Sequence, residues 1–207
     1  MLEYYSIHNP FNFTRQTLYS TGPDPISMSA GHFNNDDQLD IVVAGYFDNS
    51  LGIIFGYENG SFTKTTTYIT DIPSYSVVVN DISNYARPDT VTINYDDASL
   101  IVFIGSSERS FEKQMSYSAE SRPYVVAADD FNNDTRLDIV AANQLNNMVS
   151  VLIGYISETF VKKTTFVIDN GSRPRSFTIG DFKADTTLDI VVTYHENNTV
   201  KIISWVR

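Results

Sequence analysis

Oxygen-bearing side chains alternate along a short segment, DFNNDTRLD, at residues 130–138. Positions 1, 3, 5 and 9 of this segment are Asp130, Asn132, Asp134 and Asp138, and position 7, Arg136, can add its backbone carbonyl oxygen. Oxygen donors at this spacing in a tight loop can converge on a hard cation, and calcium prefers oxygen to the nitrogen and sulfur ligands of softer metals. The segment therefore predicts a calcium site.

The same loop occurs three more times with poorer donors. The first copy offers Asn34, Asp36 and Asp40, but His32 stands where the third copy has Asp130. The second copy has a tyrosine and the fourth a lysine at one of the donor positions. Asp and Asn in a turn also accept backbone N–H bonds without any metal, and repetition in every unit favours such a structural task. Both interpretations stay open from the sequence.

A second group of candidates follows the LDIVV-type segments. Tyr46, Tyr95, Gln144 and His195 occupy equivalent positions there, while Arg122 and Arg173 precede two equivalent prolines. Together with Tyr194, these aromatic and polar residues predict a face that binds a sugar or a peptide. Equivalent residues that differ in type on a repeated scaffold suit a binding surface, although ordinary drift on exposed loops gives the same pattern.

Composition excludes several function classes. The chain has 207 residues, a formal charge of −11, no Cys and three His. We therefore expect no nucleic-acid partner, and no catalytic site, because phosphate loops, nucleophile elbows and zinc-type His pairs are missing. His195 and Glu196 are adjacent, which on a strand would send them to opposite faces. No apolar stretch reaches the length of a membrane span, and the start of this chain lacks the pattern of a secretion signal.

These residues belong to a repeat of about 49 residues. Phe13, Phe62, Phe111 and Phe160 are evenly spaced by 49, and a second series, Asp40, Asp89, Asp138 and Asp189, is spaced by 49, 49 and 51. A third series ends apolar runs at Gly56, Gly105 and Gly154. The series predict one domain of four units, at about 13–61, 62–110, 111–159 and 160–207, after a lead-in at 1–12.

Each unit predicts four short antiparallel strands and no helix, because apolar and β-branched residues form runs of four to eight between Asn, Asp, Gly, Ser and Pro clusters. Four strands at this period predict an all-β propeller of four blades, with a solenoid as the competitor. The last unit lacks its outer strand, which the segment after Phe13 can supply and so close the ring. Residues 2–12 resemble part of a further unit, so two chains pairing into an eight-bladed ring is the alternative to a monomer.

The segments GDF, DFNND and LDIVV, together with the terminal Gly and Phe, resemble the FG-GAP or VCBS repeat in four copies over about 195 residues. The resemblance implies a propeller like those of integrin α-subunits and certain lectins, calcium in the acidic loops, and extracellular binding or adhesion with a protein or glycan ligand. It departs from the family at loop position 6, where glycine is usual and this chain has Asp37, Ala86, Thr135 and Thr186. A lectin and a purely structural spacer are the alternative functions.

Overall fold

The computed structural model describes residues 17–34, 36–63, 65–70, 73–106, 110–155, 159–168, 171, 173–196 and 198–204. Fifteen β-strands and no helix occur in these ranges, which confirms the predicted all-β class. The predicted lead-in at 1–12, together with Phe13, lies outside the described residues.

The strands form four antiparallel sheets, each built from consecutive strands. The first sheet contains β1 (Pro25–Gly31), β2 (Asp40–Gly45), β3 (Ser50–Ile54) and β4 (Thr66–Ile69). The second contains β5 (Ser76–Asn80), β6 (Asp89–Asn94), β7 (Ser99–Gly105) and β8 (Phe111–Ser118). The third contains β9 (Pro123–Asp129), β10 (Asp138–Asn143), β11 (Met148–Tyr155) and β12 (Thr159–Val167). The fourth contains β13 (Pro174–Gly180), β14 (Asp189–Tyr194) and β15 (Val200–Ser204).

The second and third strands of each sheet contribute most of the buried apolar side chains. Strands β6, β7 and β10 are buried along their whole length, as expected for Val- and Ile-rich runs with a sheet packed on each face. The outer strand β4 is exposed at three of its four residues, which fits its threonines at a sheet edge. Each outer strand lies at or just after a repeat Phe, so each four-stranded sheet takes its last strand from the start of the next predicted unit.

Consecutive sheets pack face to face through their first strands. Strand β1 packs on β5, β5 on β9 and β9 on β13, and three apolar clusters fill the spaces between them. Serine hydroxyls join neighbouring first strands, because Ser27 Oγ accepts a hydrogen bond from the backbone N–H of Val77 and Ser76 Oγ accepts one from Val126. The predicted four-blade organisation is thus present in the described chain.

The fourth sheet has three strands in the described residues, as the sequence predicts for a last unit without its outer strand. The described residues nearest to Phe13 lie beside the first sheet. Tyr19 packs edge-on against Phe62 at 5.3 Å between ring centroids, and Thr65 Oγ1 donates to the carbonyl of Ser20 at 2.5 Å. Residues 14–16 lie outside the described ranges, so ring closure by the chain ends stays a prediction.

Candidate functional site

A buried aspartate begins the second strand of every sheet, and in three sheets it joins the acidic loop to the third strand. Asp138 Oδ2 accepts a hydrogen bond from the N–H of Phe131 at 3.1 Å, and its Oδ1 accepts one from Gly154 at 2.8 Å. The equivalent pairs of donors are Phe33 and Gly56 for Asp40, and Ser83 and Gly105 for Asp89. We call this arrangement the aspartate lock.

The lock explains the glycine near the end of the third strand. A Cβ atom on Gly154 would lie 2.3 Å from the carbonyl oxygen of Leu137, and one on Gly105 would lie 2.1 Å from that of Pro88. Both distances are too short for non-bonded heavy atoms. Only glycine therefore brings its N–H to the aspartate at this position.

Burial changes the acidity of the locks. Desolvation raises the pKa of Asp138 to about 6, against the lowering effect of its two backbone hydrogen bonds. The same cause raises the pKa of Asp40 and of Asp89. All three side chains are fully buried, so the locks hold the loops with carboxylates that are costly to ionise in the folded chain.

The fourth copy departs from this pattern. Asp189 is fully buried, yet neither of its carboxylate oxygens has a hydrogen-bond partner within the described ranges. The N–H of Phe182 donates to the carbonyl of Gly180 instead. The position equivalent to Gly154 is Trp205, which lies outside the described residues.

The remaining acidic side chains of the third loop also bind backbone groups. Asp130 accepts hydrogen bonds from the N–H groups of Asp134 and Thr135 at 2.9 and 2.7 Å. Asn132 Oδ1 accepts from Asp134, and Asp134 Oδ1 accepts from the N–H of Arg136, both at 2.9 Å. These are the Asx-turn contacts that hold a loop without a metal.

The first loop uses the same contacts. Asn34 Oδ1 accepts from the N–H of Asp36 at 3.2 Å, and Asp36 Oδ1 accepts from that of Gln38 at 3.0 Å. His32 Nδ1 lies 2.9 Å from the carbonyl oxygen of Gln38. Asp40 holds the lock described above. The acidic residues of this loop, like those of the third, form contacts that define the turn.

Position 6 has a left-handed backbone in all four loops. The φ angles are 59° at Asp37, 56° at Ala86, 70° at Thr135 and 67° at Thr186. Glycine adopts this conformation without a Cβ penalty, whereas a β-branched threonine is strained there. The departure from the family pattern noted in the sequence therefore leaves a strained residue in each of the third and fourth loops.

The acidic side chains of the described loops already bind other groups. Within the described ranges, no three His, Asp or Glu side chains converge where they could hold a metal. The Arg136 guanidinium pairs with Asp134 and so takes the place at this carboxylate that a cation would need. In the fourth loop, Lys183 Nζ donates to the Ser204 hydroxyl. The calcium site stays a prediction.

The opposite end of the sheets carries a cluster of tyrosines. Tyr46 and Tyr95 each begin the turn between the second and third strands, while Tyr75 and Tyr124 lie at the start of β5 and β9. Strand alternation places both positions away from the acidic loops, as predicted. All four side chains are half-buried, so they are fixed by packing and still reach the surface. We call this surface the tyrosine face.

Tyr75 lies at the centre of the tyrosine face. Its ring stacks on Tyr95 at 5.3 Å between centroids and contacts Tyr124 at 4.8 Å and Tyr46 at 5.9 Å. Desolvation by burial raises the pKa of Tyr75, and a hydrogen bond with Tyr124 adds to the effect. The Tyr75 hydroxyl therefore stays protonated at neutral pH and can donate a hydrogen bond.

Polar groups surround the rings. The Arg122 guanidinium lies over the Tyr95 ring at 5.1 Å, and that of Arg175 lies over Tyr124 at 5.5 Å. The Tyr95 hydroxyl donates to Gln144 Oε1 at 2.9 Å, which links the second and third sheets. Guanidinium groups over aromatic faces add to the stability of such a cluster and present positive charge beside it.

Some of the predicted ligand-binding residues lie together in the tyrosine face, and others lie elsewhere. Tyr46, Tyr95 and Arg122 lie in the tyrosine face. Tyr194 is 6% exposed and packs in the core between the third and fourth sheets, so the prediction that it reaches a ligand is wrong. It is the last residue of β14 and points between the sheets.

His195 and Arg173 form a separate group on the fourth sheet. Arg173 donates to Glu196 Oε1 at 3.0 Å, and His195 Nδ1 lies 3.8 Å from the same oxygen. The sequence prediction put His195 and Glu196 on opposite faces of a strand, but both lie in a turn, where adjacent side chains can meet. Arg173 thus pairs with a carboxylate of the same turn region and lies apart from the tyrosine face.

Sequence reasoning missed Tyr75, Tyr124 and Arg175. These residues belong to the series Ile26, Tyr75, Tyr124 and Arg175, which comes one residue after the series Pro25, Ser74, Pro123 and Pro174. The aromatic pair at a spacing of 49 was the available signal. Its importance depends on contacts across neighbouring sheets, which the spacing alone does not reveal.

Comparison with known proteins supports the fold. The model of the FG-GAP-like repeat matches residues 130–192, and no curated protein matches the sequence. The crystal structure of BBS1N in complex with ARL6DN is similar with a TM-score of 0.60 and 12% identity, over 90% of this chain and 59% of BBS1N. A crystal structure of a protein from Lactobacillus plantarum is similar with a TM-score of 0.51 and 9% identity, over 92% of this chain and 58% of that one.

This chain therefore spans less than two thirds of either of these structures. The similarity extends over all four sheets, although so little of the sequence is shared. Residues 130–192 include the third acidic loop, with its aspartate lock, and reach into β14. The chain carries an FG-GAP-like repeat in a β-propeller-like fold.

Proposed function

We propose that this chain is a non-enzymatic binding module that holds a protein ligand on its tyrosine face. The observation that carries the proposal is the cluster of Tyr46, Tyr75, Tyr95 and Tyr124, fixed by ring contacts across the first three sheets. Tyrosine and arginine are the side chains that dominate binding energy at protein interfaces, because they bury much area and lose little entropy when they are already fixed.

Electrostatics also favour a protein ligand. The chain as a whole is acidic, whereas Arg122 and Arg175 are exposed beside the rings. The Tyr46 hydroxyl donates to Asp96 Oδ2 at 3.3 Å, so a carboxylate lies at this face as well. A protein ligand with side chains of both charge signs would be oriented by these groups. The similar propeller of BBS1N is itself in complex with a protein, ARL6DN.

A glycan ligand is less well supported. Sugars stack on open aromatic faces, but Tyr95 has Tyr75 stacked on it and the Arg122 guanidinium over it. Phe47 is exposed at 77% and contacts Tyr46 at 5.3 Å, so it is the aromatic ring of this face with most open area. A lectin function would therefore depend on Phe47 more than on the tyrosines.

We expect the chain to meet its ligand outside the cell or at the cell surface. The FG-GAP-like repeat supports this location, because the resemblance of the sequence to that family implies extracellular adhesion. No helix in the described part of the chain is long and apolar enough to cross a membrane. Protease treatment of intact source cells, followed by detection of the chain, tests the location: loss of the chain is expected, and survival until the cells are lysed would contradict it.

Binding is tested on arrays of extracellular proteins and of glycans, with the wild-type chain and with Tyr95→Ala and Phe47→Ala. Tyr155→Ala is the matched control, because Tyr155 is 52% exposed and ends β11 at the acidic-loop end of the third sheet. We expect protein binding that Tyr95→Ala weakens at least about 30-fold and that Tyr155→Ala leaves unchanged. Silence on the protein array, or equal effects of both tyrosine changes, would refute the proposal, and glycan binding lost in Phe47→Ala would indicate a lectin.

Calcium has no part in this proposal. The acidic loops lie at the other end of the sheets, and their carboxylates already bind backbone N–H groups and Arg136. The loops have the task of holding the strands in place, which is the structural alternative left open by the sequence.

A further inference from the structure

One face of the fourth sheet is exposed, although the equivalent face of each of the other three sheets is covered by the next sheet. In the second sheet this face includes Val91, Ile93, Leu100 and Val102, all fully buried against the third sheet. The repeat places Val191, Thr193, Val200 and Ile202 at the equivalent positions of the fourth sheet. We call these four residues the trailing face. Val200 is 61% exposed and Ile202 is 50% exposed.

The first sheet is open on its opposite side. Met28 and Ala30 of β1 are equivalent to Val77 and Val79 of β5, which pack on the first sheet. Val77 is 6% exposed, whereas Met28 is 72% exposed. We call Met28 and Ala30 the leading face. Because both faces are exposed in the same chain, the described residues of the fourth and first sheets do not cover each other as those of the other neighbouring sheets do.

The polar groups of the two faces also match. In the interface between the first and second sheets, Ser27 Oγ and Ser29 Oγ accept hydrogen bonds from the N–H groups of Val77 and Val79, each at 3.2 Å. Ser176 and Thr178 of β13 are equivalent to Ser27 and Ser29, and both are exposed. A chain placed against β13 as β5 lies against β1 would bring backbone N–H donors to these two hydroxyls.

We propose that the trailing face of one chain binds the leading face of a second copy, so that two chains close one ring of eight sheets. The contact continues an interface that the chain already forms three times, and this chain itself carries both halves of it. Ser176 and Thr178 would accept from the N–H groups of Met28 and Ala30 of the partner subunit. Head-to-tail contacts of this kind form a closed ring when the rotation between successive sheets brings the trailing face of the second chain to the leading face of the first.

The named side chains of both faces carry no charge. The contact therefore buries apolar area and places no like charges opposite each other, and this burial opposes the general repulsion between two chains of net charge −11. An alternative occupant would be a further blade from another polypeptide or from a longer chain. The test below separates these cases because it uses this chain alone.

Light scattering after gel filtration should give twice the chain mass of 23.3 kDa. Val200→Asp should raise the dimer dissociation constant at least about 100-fold, because it would bury an unpaired carboxylate in an apolar contact. Val167→Asp is the control, since Val167 is 62% exposed on the outer strand β12 and should leave the dimer intact. A wild-type monomer, or equal effects of both changes, would overturn the proposal.

Cysteine cross-linking gives a second measurement that does not need Val200→Asp to fold, and the chain has no cysteine of its own. Under mild oxidation, Ser176→Cys protein mixed with Met28→Cys protein should give a mixed disulfide-linked dimer. Ser27→Cys with Val77→Cys in one chain is the control for geometry, since these positions already meet. A disulfide formed within one chain of the Ser176→Cys, Met28→Cys double variant would show that four sheets close alone, and it would overturn the proposal.

Discussion

The aspartate locks predict that the same substitution, Asp to Asn, changes the free energy of unfolding differently at the equivalent positions 138 and 189. Asp138→Asn keeps one oxygen acceptor but places an amide NH₂ where the second carboxylate oxygen now accepts an N–H. One hydrogen bond to a charged group is lost, and one backbone N–H is left unsatisfied in a fully buried place. We expect the free energy of unfolding to fall by about 2–4 kcal/mol, after allowing for the relief of burying a charge.

Asp189→Asn makes the same substitution where the described structure has no hydrogen bond to lose. Removing an unpartnered buried carboxylate should be neutral or should stabilise the chain. Urea unfolding followed by far-ultraviolet circular dichroism measures both variants. With a urea m value of about 2–3 kcal/mol/M, Asp138→Asn should lower the midpoint by about 1 M, while Asp189→Asn should leave it in place. Equal losses, or a larger loss at Asp189, would refute the assignment of the locks.

Three further predictions also concern the stability of the chain. The pKa of Asp138 is about 6 in the folded chain, and its ordinary value is 3.8, so its contribution to stability is full below pH 3.8 and is lost as the pH rises through 6. Between pH 7 and pH 5, the free energy of unfolding should therefore rise by about 1 kcal/mol more in the wild type than in Asp138→Asn. Equal rises in the two proteins would contradict this. Thr135→Gly should stabilise the chain by about 0.5–1 kcal/mol, because it relieves a left-handed threonine at a smaller entropic cost, and a loss of stability would show that the loop tolerates the side chain. EDTA and added calcium should give the same melting temperature, whereas a rise with calcium would show that the acidic loops bind the ion.

The repeat made the fold predictable from the sequence. Three independent series of Phe, Asp and Gly share one period, and each has a physical cause in the structure. The aspartate accepts two backbone N–H groups, the glycine leaves room for a neighbouring carbonyl, and Phe111 and Phe160 pack beside the apolar clusters. Spacing along the chain reports such contacts well because every sheet repeats them.

The candidate site was less predictable because each of its tyrosine positions recurs in only two of the four units. Tyr75 contacts Tyr46 of the first sheet and Tyr124 of the third, and these contacts depend on how neighbouring sheets pack. Tyr194 shows the opposite error, since its type suggested a binding residue while its strand position buries it. The acidic loops had a sequence pattern typical of a metal site, but the pattern does not show which oxygens the backbone already uses.

The central claim is that the tyrosine face binds the ligand while the acidic-loop end holds the strands. Tyrosine nitration with mass spectrometry, carried out with and without a protein selected on the array, tests it directly. Bound ligand should protect Tyr46 and Tyr95 and leave Tyr57 and Tyr155, which are 53% and 52% exposed outside that face, as reactive as before. Protection of Tyr57 and Tyr155 with unchanged Tyr46 and Tyr95 would contradict the claim.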